Sequence, residues 1–171
     1  MAPGLPDRVD CAYLADNAVV LERVYPLGEM PRLRDLLADA RGSVRARFAF
    51  AKLDAGRAGA TVAVEAMPQL LCQRCLQGFA FAAAGSSTIE FASGVGGAAD
   101  SQREIYAMDE GRVSLRELAE EELLLALPIV AMHTPQTCGR APTYETGGEI
   151  EEMSGDRSRP FSSLQDLLKK T

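Results

Sequence analysis

The chain has 171 residues, 47% of them hydrophobic but only 6% aromatic, with no tryptophan. That length suits one domain built around an aliphatic core. A formal net charge of −6 excludes a polyanion binder that works by overall basicity, and no run approaches the ~18 to 20 unbroken apolar residues of a membrane helix.

The charge is segregated. Residues 22 to 57 hold eight basic and five acidic side chains, whereas residues 90 to 125 hold three basic and nine acidic ones. The N-terminus shows no basic region followed by an apolar run, so no signal peptide is expected. A cytoplasmic setting follows, in which cysteines stay reduced.

In chain order, "VVLERV" predicts a strand from Val19 to Val24. "MPRLRDLLADA" predicts a short helix. Pro31 suits its first position, Leu33, Leu36 and Leu37 fall at helical spacing, and Gly42 ends it. "SVRARFAFAKL" alternates, with Val44, Ala46, Phe48 and Phe50 on one strand face and Arg45 and Arg47 on the other. "ATVAVEAMPQLLC" alternates again, Val62 and Val64 lying opposite Ala63 and Glu65, until Pro68 marks an edge or a break. "FAFAAAGSSTIEF" gives a third strand, so an antiparallel meander is expected.

The clearest helix follows a Gly-rich loop. Ser114 and Glu117 form an S-x-x-E capping box, "LRELAEEELLLAL" continues from it, and Pro128 stops it. Leu115, Leu118, Ala119 and Leu125 predict a buried stripe, with Glu120 and Glu121 facing water. Residues 139–160 read as a flexible acidic segment. Residues 161–171 read as a short amphipathic helix carrying Phe161, Leu164, Leu167 and Leu168. The fold class is therefore α+β: a single domain over residues 1–138, with an antiparallel sheet that can curl toward a barrel, covered by one long and one short helix.

"LLCQRCLQGF" places Cys72 and Cys75 in a C-x-x-C pair. The only histidine, His133, lies beyond the long helix, with Cys138 five positions on. Zinc takes four ligands, commonly thiolate and imidazole, so the candidate metal set is Cys72, Cys75, His133 and Cys138. The alternative is that these cysteines pack without metal, as Cys11 is expected to do. Redox use of the pair fits less well. A thioredoxin-like C-x-x-C opens a helix in a βαβ unit, and here strands lie on both sides.

An enzyme finds little support. There is no H-E-x-x-H motif and no phosphate-binding loop. "GVGGAAD" precedes no strong helix, and any His-based catalysis would rest on His133 alone. A small zinc- or thiol-dependent enzyme using the C-x-x-C pair remains the competing class.

"CQRCL" after an alternating strand, "EEELLLALPIVAMH" after an acidic stretch, a following cysteine and the closing "RPFSSLQDLLKK" resemble the YceD family of large ribosomal RNA subunit accumulation proteins. The resemblance runs from about residue 20 to 170. It is most specific at Cys72, Arg74, Cys75 and Leu76 and at Glu121 to Pro128. Arg159 stands where the family commonly has Asn. The resemblance implies a bacterial cytoplasmic protein with no enzymatic activity that supports large-subunit rRNA accumulation and ribosome assembly, and it favours a structural zinc. Its partner would be large-subunit rRNA or a basic ribosomal protein, with no membrane and no DNA involved. Arg45, Arg47 and Arg74 are the candidate RNA contacts, with Lys52 nearby on the same basic strand. The acidic helix and residues 145–152 are the candidate surface for a basic protein.

Overall fold

The computed structural model describes residues 6–93, 104–134 and 137–138. These all lie in the compact unit Met1–Ala141. The expected acidic segment 139–160 and terminal helix 161–171 fall outside the described residues. No described helix is long and apolar enough to cross a membrane.

The main sheet holds β2 (Val20–Pro26), β4 (Ser43–Lys52), β5 (Ala58–Ala66), β8 (Ala83–Ser93) and β9 (Glu104–Met108), in that spatial order. The first four run antiparallel, as the meander predicted, and β9 joins parallel to β8. The sheet does not close. β2 and β9 are its edges, so the architecture is α+β with an open mixed sheet and no barrel among the described residues. Two smaller sheets complete it: β1 (Arg8–Asp10) with β10 (Arg112–Ser114), and β3 (Leu37–Asp39), β6 (Gln69–Leu71) and β7 (Gly78–Ala80).

The alternation in β4 sets the core. Val44, Ala46, Phe48 and Phe50 are buried while Arg45 and Arg47 are exposed. Ala60, Val62 and Val64 of β5 lie beside them on the same face. Phe50 stacks on Phe91 of β8, ring centroids 6.0 Å apart at 24°. Burying each of these phenylalanines stabilises the fold by about 2 kcal/mol.

Helix α3 (Leu115–Ala126) covers this face with Leu115, Leu118, Ala119 and Leu123. Ser114 caps it by accepting from the Glu117 N–H at 3.2 Å. Asp7 strengthens the cap, accepting from the Ser114 hydroxyl at 2.6 Å and the Arg116 N–H at 3.1 Å. A carboxylate at this end complements the helix dipole. Gly85 lets the helix approach β8, because a Cβ there would lie 2.8 Å from Glu122 Oε1. Glu122 is buried and accepts from the Ser87 hydroxyl.

Three local expectations need correction. The helix predicted across residues 31–41 is only α2 (Pro31–Arg34), and Leu37–Asp39 is instead strand β3, paired with β6. Leu37 opposite Leu70 gains a sheet partner that a continued helix would not give it. Leu125 is 67% exposed and Leu123 takes its place in the core. Glu120 does not face water. It is buried, and its Oε1 accepts the Arg32 and Leu33 N–H groups at 2.7 and 3.0 Å. One carboxylate therefore satisfies two otherwise orphaned donors at the start of α2. The sequence reading also passed over α1 (Cys11–Asp16), capped by Asp10, which accepts from the Tyr13 N–H at 3.0 Å.

Glu120→Ala strands those two donors, one buried and one part-buried, and is expected to lower unfolding stability by about 2 kcal/mol, whereas Glu120→Gln, which keeps an acceptor, loses less. Urea midpoints at an unchanged m-value measure both. Equal midpoints for Glu120→Ala and the unaltered protein would show that the contact carries no stability.

Candidate metal centre

Pro68 ends the long strand pairing, and its carbonyl accepts from the Phe81 N–H at 3.0 Å. The chain then forms the β6–β7 hairpin, whose tip is residues 72–77. The Cys72 N–H donates to the Gln77 carbonyl, and the Leu76 N–H donates to the Cys72 carbonyl, both at 2.9 Å. Leu76 takes a left-handed conformation with φ of 58°, uncommon for a residue with a Cβ. This tight knuckle keeps Cys72 and Cys75 close together and buried.

The second pair arrives after Pro128 ends α3. The Gln73 N–H donates to the Ala131 carbonyl at 2.9 Å, which ties the outgoing chain to the knuckle. His133 then packs its ring against Phe79 of β7, centroids 4.6 Å apart. The Cys138 N–H donates to the Thr134 carbonyl at 3.0 Å, turning the chain back so that Cys138 faces Cys72.

The four ligand atoms all lie within 4.8 Å of one another. Cys72 Sγ and Cys138 Sγ are 3.8 Å apart, and Cys75 Sγ is 3.3 Å from His133 Nδ1. A tetrahedral zinc with bonds of about 2.3 Å to sulfur and about 2.05 Å to nitrogen sets its sulfurs about 3.8 Å apart and a sulfur–nitrogen pair about 3.6 Å apart. Three sulfurs and one imidazole at this spacing fit a tetrahedral metal, and no other cluster of potential ligands occurs among the described residues.

Electrostatics are consistent with that chemistry. Burial opposes ionisation of Cys72, but hydrogen bonds from the backbone of Cys75, His133 and Arg74 and from the His133 side chain outweigh it, and the thiol is pulled down to about 5. Cys138 is pushed up to about 11 by burial and by the neighbouring sulfurs of Cys72 and Cys75. Cys11 stands apart in the apolar core, where burial pushes its thiol up to about 12.

The three arginines do not form one patch. Arg45 and Arg47 share the exposed face of β4, and each has a carboxylate on the neighbouring strand: Arg45 Nη1 lies 3.9 Å from Glu65 Oε2, and Arg47 Nε lies 3.8 Å from Glu22 Oε1. Lys52 pairs with Asp16 at 2.9 Å. Arg74 sits in the knuckle of the small sheet, where Nη2 lies 3.8 Å from the Met132 sulfur. Phe79 as the ring beside His133 was not foreseeable from local pattern, because 54 residues separate them.

Thiol chemistry tests the cluster directly. With zinc supplied, none of the four cysteines is expected to react quickly with a thiol reagent. A strong chelator should then release three, and Cys11 should react only on unfolding. Rapid modification of Cys72, Cys75 and Cys138 in the presence of zinc would show that they do not share a metal.

A family model for the large ribosomal RNA subunit accumulation protein YceD matches residues 60–168, well over half of the chain. A Haemophilus influenzae protein named "Large ribosomal RNA subunit accumulation protein YceD" is 34% identical over 76 residues, covering 42% of this chain and 44% of that relative. The match thus spans less than half the length of that relative. No solved structure matches. The matched span contains the knuckle, His133 and Cys138 together, and this chain belongs to the YceD family.

Proposed function

We propose that this protein supports accumulation of large-subunit rRNA, and so assembly of the large ribosomal subunit, without catalysing a reaction, and that Cys72, Cys75, His133 and Cys138 hold one structural zinc. The family match across residues 60–168 carries the ribosomal reading. The donor set carries the metal reading: with three sulfurs and one imidazole, the protein itself supplies all four positions of a tetrahedral ion. Catalytic zinc sites keep one position for water or substrate, whereas closed sulfur-rich sites are structural.

Bound there, zinc would act as a cross-link between the β6–β7 tip and the chain leaving α3. The residues do the rest. The knuckle amides orient Cys72 and Cys75, Phe79 seats the imidazole, and the Thr134 turn delivers Cys138.

The working compartment in this reading is the bacterial cytoplasm, where ribosomes are built. The partner is large-subunit rRNA, with Arg45, Arg47 and Arg74 as candidate contacts, or a basic ribosomal protein. Charge complementarity supports the second route, since Glu117 and Glu121 of α3 are partly or fully exposed.

A bacterium deleted for its own YceD member provides the test. Loss should lower the ratio of large- to small-subunit rRNA. Expressing this chain should restore the ratio, and a Cys72→Ser, Cys75→Ser double variant should restore it poorly, in step with reduced zinc content and reduced soluble protein. An unchanged ratio on deletion would overturn the ribosomal reading. Full zinc retention by the double variant would overturn the metal site.

A further inference from the structure

We propose that the metal knuckle is itself the RNA-contacting surface, and that it takes single-stranded rather than duplex RNA. This rests on the ribosomal reading above and names the partner and the place of contact. The argument begins from where carboxylates are missing. The chain carries 24 Asp and Glu residues, yet none falls between positions 66 and 89 or between 123 and 144. Those stretches supply the knuckle, its hairpin and the segment that docks on it. An acidic protein can bring a phosphate chain close only where its own carboxylates are absent.

The cations agree. Arg45, Arg47 and Lys52 each face a carboxylate, so the β4 surface is close to neutral. Among the described residues no carboxylate pairs with Arg74. Arg23, Arg112 and Arg116 also lack such a pair, but Glu22, Glu110 and Glu117 stand within two positions of them in the sequence.

The surface around Arg74 has the chemistry of an unstacked base. Leu71, Leu76 and Met132 are exposed apolar side chains, 46%, 53% and 45% accessible. Gln73 and Gln77 are exposed amides on the same loop, able to donate to and accept from base edges. Leu76 is held outward by its left-handed backbone. Beside the hairpin a groove of about 610 Å³ opens, lined in part by Met67, Leu71 and Arg41. Its one acidic side chain, Asp39, is already engaged by Arg41, whose N–H it accepts at 2.8 Å. Splayed bases of a single strand can enter such a groove and stack on apolar or guanidinium surfaces. An A-form duplex keeps its bases inside.

Arg74 could instead serve only to offset the charge of three thiolates and an imidazole around a divalent ion, which sum to −1. The two roles part in experiment. Zinc-loaded full-length protein is titrated against a fluorescein-labelled mixed-sequence single-stranded RNA and against a duplex of the same composition, by anisotropy at two salt concentrations. Zinc content is measured on every variant. The single strand is expected to bind about tenfold or more tightly than the duplex. Arg74→Glu should weaken it about tenfold and flatten the salt dependence, with zinc retained. Leu76→Gly, which suits the backbone, should weaken it severalfold, while Arg45→Glu with Arg47→Glu should change it less than twofold. Wild-type affinity in Arg74→Glu, duplex bound as well as single strand, or loss of zinc as the only effect of Arg74→Glu would each overturn the inference. If the protein binds neither RNA but still restores large-subunit rRNA in cells, this inference fails and the assembly reading stands with a protein partner. If it does neither, both fail.

Discussion

The site depends on two sulfurs, Cys72 Sγ and Cys138 Sγ, held 3.8 Å apart although 66 residues separate them in sequence. Closing so long a loop costs conformational entropy, and ionising thiols at that distance adds repulsion. Their acidities move apart: burial opposes ionisation of both, but hydrogen bonds from the knuckle backbone and His133 pull Cys72 down, while burial and the neighbouring sulfurs push Cys138 up. A divalent cation removes the conflict by replacing protons with metal bonds. Among the described residues the protein's own fastenings include one amide–carbonyl bond from Gln73 to Ala131 and the ring of Phe79 against His133. Each is worth about 1 kcal/mol. The position of the segment after α3 therefore depends strongly on whether the cluster is filled.

The long-range parts of the fold were legible where one local rule decided them. The alternation of Val44, Ala46, Phe48 and Phe50 has a single interpretation, because a strand has two faces and only one can be apolar. The start of α3 was equally plain, since Ser114 offers its hydroxyl to the Glu117 amide within one turn. Apart from α1, which was overlooked despite its local Asp10 cap, the failures turn on contacts distant in sequence. Leu37 reads as helical until Leu70 is available to pair with it. Glu120 reads as solvated because nothing near it in sequence needs an acceptor. Its donors are Arg32 and Leu33, whose amides at the start of α2 have no acceptor within the helix. Leu125 lost its core place to Leu123, a choice of helix face toward β5 and β8 that a hydrophobic count does not reveal. The expectation of a curling barrel failed for a similar reason, since β9 joins the far edge of the sheet in parallel and leaves β2 unpaired on its outer side.

The metal set was legible from residue type alone, since one histidine and three cysteines other than Cys11 match the ligands zinc prefers. Sequence could not supply the convergence. The β6–β7 turn and the segment beyond α3 meet only because β6 pairs with β3 and β7, a small sheet that Pro68 separates from the long strand before it. The same break explains why Arg45 and Arg47 belong to a different surface from Arg74, though a linear reading groups them as one basic stretch.

Holding and recognising can share one loop here without conflict. A zinc held there by four protein ligands would have no vacancy for substrate, and its effect would be to stiffen the turn. A stiff turn is what recognition needs, because a flexible loop would spend binding energy on being ordered. With a metal bound, Arg74 between the two cysteines and the left-handed Leu76 beside Cys75 would be held in fixed directions. Among the described residues, carboxylates cluster on α3 and the β9–β10 turn, which would repel a phosphate chain, while those beside β4 are paired with Arg45 and Arg47. An acidic total charge is thus compatible with an RNA partner, provided that contact is confined to the part of the surface the cysteines organise.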